Sequence, residues 1–223
     1  MALFNRSLGA FVILMVLWLA SPAVLSTPTK GPAPLPAASF EACAAPASPA
    51  ATPAASGAPV AVAAPVPDVP SCHRLALDLA ASRDYERALA VEARLFEREP
   101  MNPEVATSLA RMQEMGRKDV VQALRMYHEA LYAAPGYPAA LLGLGSHWKG
   151  RGELLIAERY FARGARENPD QPVFQVRLAE VMMEAGRPAE AAPILQDVLA
   201  RFPESGEADD ARRLLSRTSL ARP

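Results

Sequence analysis

Apolar residues follow two different rhythms along this chain. Leu8 to Ala20 (LGAFVILMVLWLA) is an uninterrupted apolar run, whereas from Ser71 onward apolar residues recur at helical spacing. Leu141, Leu144, Gly145 and Trp148 stand at i, i+3, i+4 and i+7, which puts all four on one face of a helix. Ala157 and Phe161 continue the pattern on a second helix after a break at Gly152. Ala106, Leu109 and Ala110 precede Gly116, Ala123, Tyr127 and Ala130 in the same order, and Leu178, Ala179 and Met182 precede Gly186, Ala191, Leu195 and Val198. A weaker copy holds Cys72, Leu75, Ala76 and Leu79, then Tyr85, Ala88 and Leu95, with Glu92 where the other copies place a large side chain. Glu207 to Ser216 (EADDARRLLS) adds one more amphipathic helix, with acidic residues leading and Arg212 and Arg213 following, the order the helix dipole favours.

The copies are evenly spaced. Pro100, Pro135, Pro169 and Pro203 lie 35, 34 and 34 residues apart. Three of them open a Pro-x-x-Pro turn whose second proline suits the first position of a helix, where its missing N–H costs nothing. A repeat of this length made of two helices predicts an α-solenoid. The third copy is specific: Leu141-x2-Leu144-Gly145-x2-Trp148, Ala157-x3-Phe161, Gly164 and Pro169 together resemble the tetratricopeptide-repeat signature. Leu141 stands where that signature has Trp, and Trp148 where it has Tyr. The resemblance implies an all-α helical-hairpin solenoid of about four units over residues 71–216, capped by the terminal helix, with 217–223 as a disordered tail. Small Gly145 is expected to admit the second helix, and Trp148 and Phe161 to lie in the core. The second unit has one residue more than its neighbours between Gly116 and Val120, and Pro193 is expected to bend the second helix of the fourth.

The resemblance also implies where a partner would sit, because in this family the first helices of successive units line a groove for a peptide or helix. The face adjoining the packing stripe carries Thr107, Arg111 and Glu114 in the second unit, Leu142, Ser146 and Lys149 in the third, and Val176, Glu180 and Met183 in the fourth. His73 and Leu77 hold these places in the first. Exposed apolar residues beside charges suit a protein-binding surface. Equally, Leu142 and Val176 fit a role in packing adjacent units. The Lys and Asn pattern by which chaperone-binding relatives hold a terminal carboxylate is absent from these positions.

Composition changes the picture only before residue 71. Arg6, the apolar run and the small residues after Pro22 form an export signal, cleaved near 26 or retained as an anchor. Residues 27–70, rich in Ala, Pro, Ser and Val, are expected to form a disordered linker, with a short helix near 37–45 as a weak possibility. Cys43 and Cys72 are an even pair in an oxidising compartment. Because Cys43 falls in the linker and Cys72 in a packing slot, the sequence favours unbonded cysteines. A bond between them, or between two chains through Cys43, is the alternative.

A formal net charge of −1 gives no footprint for nucleic acid. His73, His128 and His147 lack a second ligand at helical spacing, so no metal site or other cofactor is expected. Neither a phosphate loop nor a nucleophile elbow is present. The expected function is a non-enzymatic scaffold of the bacterial envelope, periplasmic or tethered to the inner membrane, supporting a pilus, secretion or polysaccharide-export machine. A self-associating spacer is the alternative, and the oligomeric state stays open.

Overall fold

A computed structural model describes residues 37–45 and 68–220; the predicted signal and most of the predicted linker fall outside them. Ten α-helices follow one another, with no strand among the described residues. They are α1 (Ala37–Ala44), α2 (Val69–Ala81), α3 (Tyr85–Arg98), α4 (Pro103–Met112), α5 (Val120–Ala133), α6 (Pro138–Gly150), α7 (Leu154–Glu167), α8 (Pro172–Glu184), α9 (Pro188–Arg201) and α10 (Gly206–Leu220). Four consecutive hairpins, α2/α3 to α8/α9, pack each on the next, and α10 lies against α9 and α8. This is the solenoid the periodicity predicts. The terminal helix continues past Ser216, where the sequence pattern ends it, to Leu220.

Local chemistry starts each helix. Pro70, Pro103, Pro138, Pro172 and Pro188 occupy first-turn positions. Asn102 accepts from the N–H groups of Glu104 and Val105, Asp84 from that of Arg87, and Asp119 from that of Gln122, so backbone donors at three helix starts are satisfied. Inside every hairpin one residue takes the left-handed conformation that turns the chain. It is Gly152 (φ 78°) and Gly186 (φ 76°) in the last two units, but Arg83 (φ 64°) and Lys118 (φ 56°) in the first two. Arginine side chains then brace the turns between units. Arg201 donates to the carbonyl of Pro169, and Arg212 to that of Pro203, at 3.1 Å each.

The extra residue of the second unit is absorbed as a π-helical turn, Gln113–Arg117, that prolongs α4. Gly116 therefore does not make the bend, which falls on Lys118. Its lack of a side chain serves packing instead: a Cβ there would lie 2.6 Å from Cβ of Tyr85.

The core holds the signature residues. Leu141, Leu144, Ala157 and Phe161 are inaccessible to solvent, and a Cβ at Gly145 would come within 2.5 Å of the Phe161 ring, so only glycine admits that ring. Trp148 departs from expectation. It is half-buried at the core edge, its ring edge-on to His147 with centroids 5.4 Å apart. Pro193 lies inside α9, which runs as helix from Pro188 to Arg201 with Ala191, Leu195 and Val198 buried.

The main correction lies before the first unit. Ala37–Ala44, inside the stretch read as linker, is the short helix the sequence allowed, and it packs against α3 and α2. Cys43, almost fully buried, is bonded to Cys72, contrary to the reading that favoured unbonded cysteines. Arg87 of α3 stacks its guanidinium over the ring of Phe40 on α1 at 4.4 Å, a cation–π contact between the two helices. The first hairpin has no preceding repeat to cover it; α1 covers part of that open face.

Candidate functional site

The first helices α2, α4, α6 and α8 bring the predicted groove residues into a row, and their surroundings sort them into four groups. Thr107 and Val176 are interior. Val176 belongs to the core of the last unit with Leu195, Val198 and Leu214, and Thr107 is buried, its hydroxyl oxygen without a protein partner. Leu142 and Met183 are half-buried and pack against the cores of their own units. The packing reading of Leu142 and Val176 thus accounts for much of their surface. Arg111 and Ser146 are exposed.

The remaining three, Glu114, Lys149 and Glu180, tie successive first helices together. Glu114 reaches from the π turn to His147 Nδ1 at 2.7 Å and accepts from the Tyr127 hydroxyl at 3.0 Å. Lys149 of α6 meets Glu180 at 3.0 Å and Glu184 at 3.1 Å, both on α8, while Arg177 shares Glu180 at 2.9 Å. Burial would by itself lower the pKa of Lys149, but the hydrogen bonds to Glu180 and Glu184 outweigh it and raise it. For Glu180, burial works upward and is outweighed by Arg177 and Lys149, so the carboxyl stays ionised below its ordinary value. Tyr127 is held protonated, first by burial and then by the Glu114 carboxylate.

A third knot joins the first two units, and nothing in the repeat pattern announces it. Glu92 is completely buried; its Oε1 lies 2.7 Å from His73 Nδ1 and accepts from the Ser108 hydroxyl at 2.9 Å. Glu104 stands 3.5 Å from the other ring nitrogen of His73. The pKa of His73 is raised, chiefly by its hydrogen bond to Glu92 against the opposing effect of burial. One signal in the sequence points to such links: His147 and Glu180 stand close to one repeat length beyond Glu114 and Lys149. His128 is exposed and joins none of these knots.

Ser108 and His73 both address Glu92 and not each other, so they do not make an activated hydroxyl. Among the described residues, no group of three His, Cys, Asp or Glu could hold a metal ion, and no helix is long and apolar enough to cross a membrane. Polar atoms on this face are spent on one another, leaving Arg111, Ser146, and the apolar Leu77 and Met115 open to solvent.

Residues 150–215 match a family model, that of the tetratricopeptide repeat. In structure the chain is similar to pilF of Pseudomonas aeruginosa, with a TM-score of 0.57 and 18% identity, covering 68% of this chain and 69% of that one. It is also similar to a tetratricopeptide repeat protein from Parabacteroides merdae ATCC 43184 (TM-score 0.56, 18% identity, 66% of this chain and 58% of that one). A third likeness is to YrrB, described as a tetratricopeptide repeat protein with an unusual peptide-binding site (TM-score 0.51, 17% identity, 70% of this chain and 80% of that one). At these identities the likeness is one of fold. No curated protein matches the chain in sequence.

Proposed function

We infer the function of this chain from one premise, that it is a protein of the tetratricopeptide-repeat family: it is a non-catalytic scaffold that holds a partner protein on its first-helix face. The observation that carries this reading is the division of that face. Its ionic knots fix the helices, and a small set of groups, Arg111 foremost, remains uncommitted and exposed. Fixed walls with a few free contacts suit recognition of an extended segment, because little order has to be gained on binding. The peptide-binding site described for YrrB supports the same class of role here.

We place the scaffold in the bacterial envelope, at a pilus, secretion or polysaccharide-export assembly, on the strength of the export-type N-terminus and the Ala/Pro-rich stretch after it. A buried Cys43–Cys72 bond favours an oxidising compartment. The test has two arms. A reporter enzyme active only outside the cytoplasm, fused after Pro70, should be active, and an expressed but silent fusion would end the envelope assignment. Affinity capture from envelope extract should recover specific partners with the wild type and fewer with Arg111→Glu and Ser146→Glu combined. A chain that recovers only itself, and sizes as a stable oligomer, would instead make it a self-associating spacer.

A further inference from the structure

We propose that the cavity between α2, the start of α3 and the π turn after α4 is a docking pocket for a protein segment that presents a bulky aliphatic side chain beside a carboxylate. The proposal rests on the scaffold reading and specifies its partner. The cavity measures about 210 Å³ and is lined by Leu77 and Ala80 of α2, Tyr85 of α3, and Arg111, Met112 and Met115 of α4 and its extension. Cavities of roughly 150 Å³ take a benzene-sized group, so this one has room for a leucine side chain.

Its walls are unusual for a surface. Leu77 is 41% and Met115 59% exposed, two large apolar groups open to water at one opening. Met115 stands there because the second unit carries an additional residue; the π turn displaces it from the ordinary helical register, and Gly116 lets that turn close onto Tyr85. Methionine is unbranched and polarisable, and it adapts to whatever apolar shape enters.

One charged group is free to orient the guest. Ser108, also on the wall, gives its hydroxyl to Glu92, and Glu114, one turn beyond Arg111, is engaged by His147 and Tyr127. Arg111 itself is exposed and forms no ion pair with a described residue. A guanidinium at the edge of an apolar hole is complementary to a carboxylate next to an aliphatic side chain, and repels a lysine in the same place. Two other first-helix cations, Lys149 and Arg177, lack this freedom, since both are taken up by Glu180.

The experiment uses the full chain with methionine methyl groups labelled for NMR. The probes are three blocked peptides identical except at a central pair: Glu-Leu, Lys-Leu and Glu-Ser. Saturable shifts of the Met112 and Met115 methyls are expected with Glu-Leu. Binding should be about five- to ten-fold weaker for Lys-Leu, which loses one exposed charge pair and gains a like-charge repulsion, and weaker again for Glu-Ser. Arg111→Glu should reverse the order of the first two while leaving the other methionine signals in place. No shift at Met115 with millimolar Glu-Leu, or equal response to all three peptides, would overturn the proposal. So would a Met115 shift that follows protein concentration alone, which assigns the pocket to a second copy. Capture from envelope extract separates the two readings. Undiminished recovery of partners by Arg111→Glu retires the pocket and leaves the scaffold standing, whereas loss of partners confined to that variant supports both.

Discussion

Glu92, Tyr127, Phe161 and Leu195 occupy one slot in the four units, and all four are buried from solvent. The slot tolerates this variety because each polar substitute brings a partner. Tyr127 finds Glu114, and Glu92 finds His73 and Ser108. Where the slot is purely apolar, truncation should cost most: Phe161→Ala is expected to lose about 3–5 kcal/mol by chemical denaturation, and half-buried Trp148→Ala less. The Glu92 knot makes a different prediction, about pH. His73 has a folded pKa above its unfolded value, so its stabilising contribution is complete at pH values below the unfolded pKa and fades as pH rises through the folded one. Glu92 and Glu104 are the charged groups that face it. The wild type should therefore lose stability as pH rises from about 6.5 through the raised folded value, and His73→Gln should lose less over the same interval. A variant with the wild-type slope would show that the imidazole does not carry the effect.

Helices and their turns show what could and could not be read in advance. The period of 34, the turn prolines and the signature of the third unit were legible because they are local: each is a packing requirement at fixed offset. The π turn was not, since one additional residue can be placed as a loop or absorbed in a helix, and only the seat of Tyr85 on Gly116 decides. Gly116→Ala should therefore destabilise by about 1–3 kcal/mol through overpacking, although alanine favours helices. Nor did the sequence reveal that Arg83 and Lys118 do the work glycine does at 152 and 186. At both, a side chain is carried in a left-handed conformation at a cost of about 1 kcal/mol. Replacing Arg83 by glycine should raise the melting temperature slightly, offset in part by the greater freedom of glycine in the unfolded chain. A marked drop would mean the Arg83 side chain makes contacts that outweigh its backbone strain.

Over the whole molecule, the stack and its candidate site were legible to different degrees. Thr107, Leu142, Val176 and Met183 were placed on the correct helices, yet most of their surface is directed inward, because neighbouring units rotate and cover what one isolated helix would expose. Arg111 and Ser146 were read as accessible and are. The Cys43–Cys72 bond could not be deduced, since Ala37–Ala44 has no apolar stripe to announce that it docks. That bond spans 29 positions, and its removal by Cys43→Ser together with Cys72→Ser should cost about 2–4 kcal/mol, measured without reductant. Loss of cooperativity in the first unit alone would show that the effect stays local.

The same bond also sets a length. Cys43 and Cys72 are 29 positions apart in sequence, a separation that an unbonded chain could stretch to roughly 90 Å. Once Cys43 is fastened to Cys72, their Cα atoms are 5.5 Å apart and the chain between them becomes a closed loop that adds no reach. A single covalent bond thereby lets any pull on α1 pass straight into α2, bypassing the loop between them.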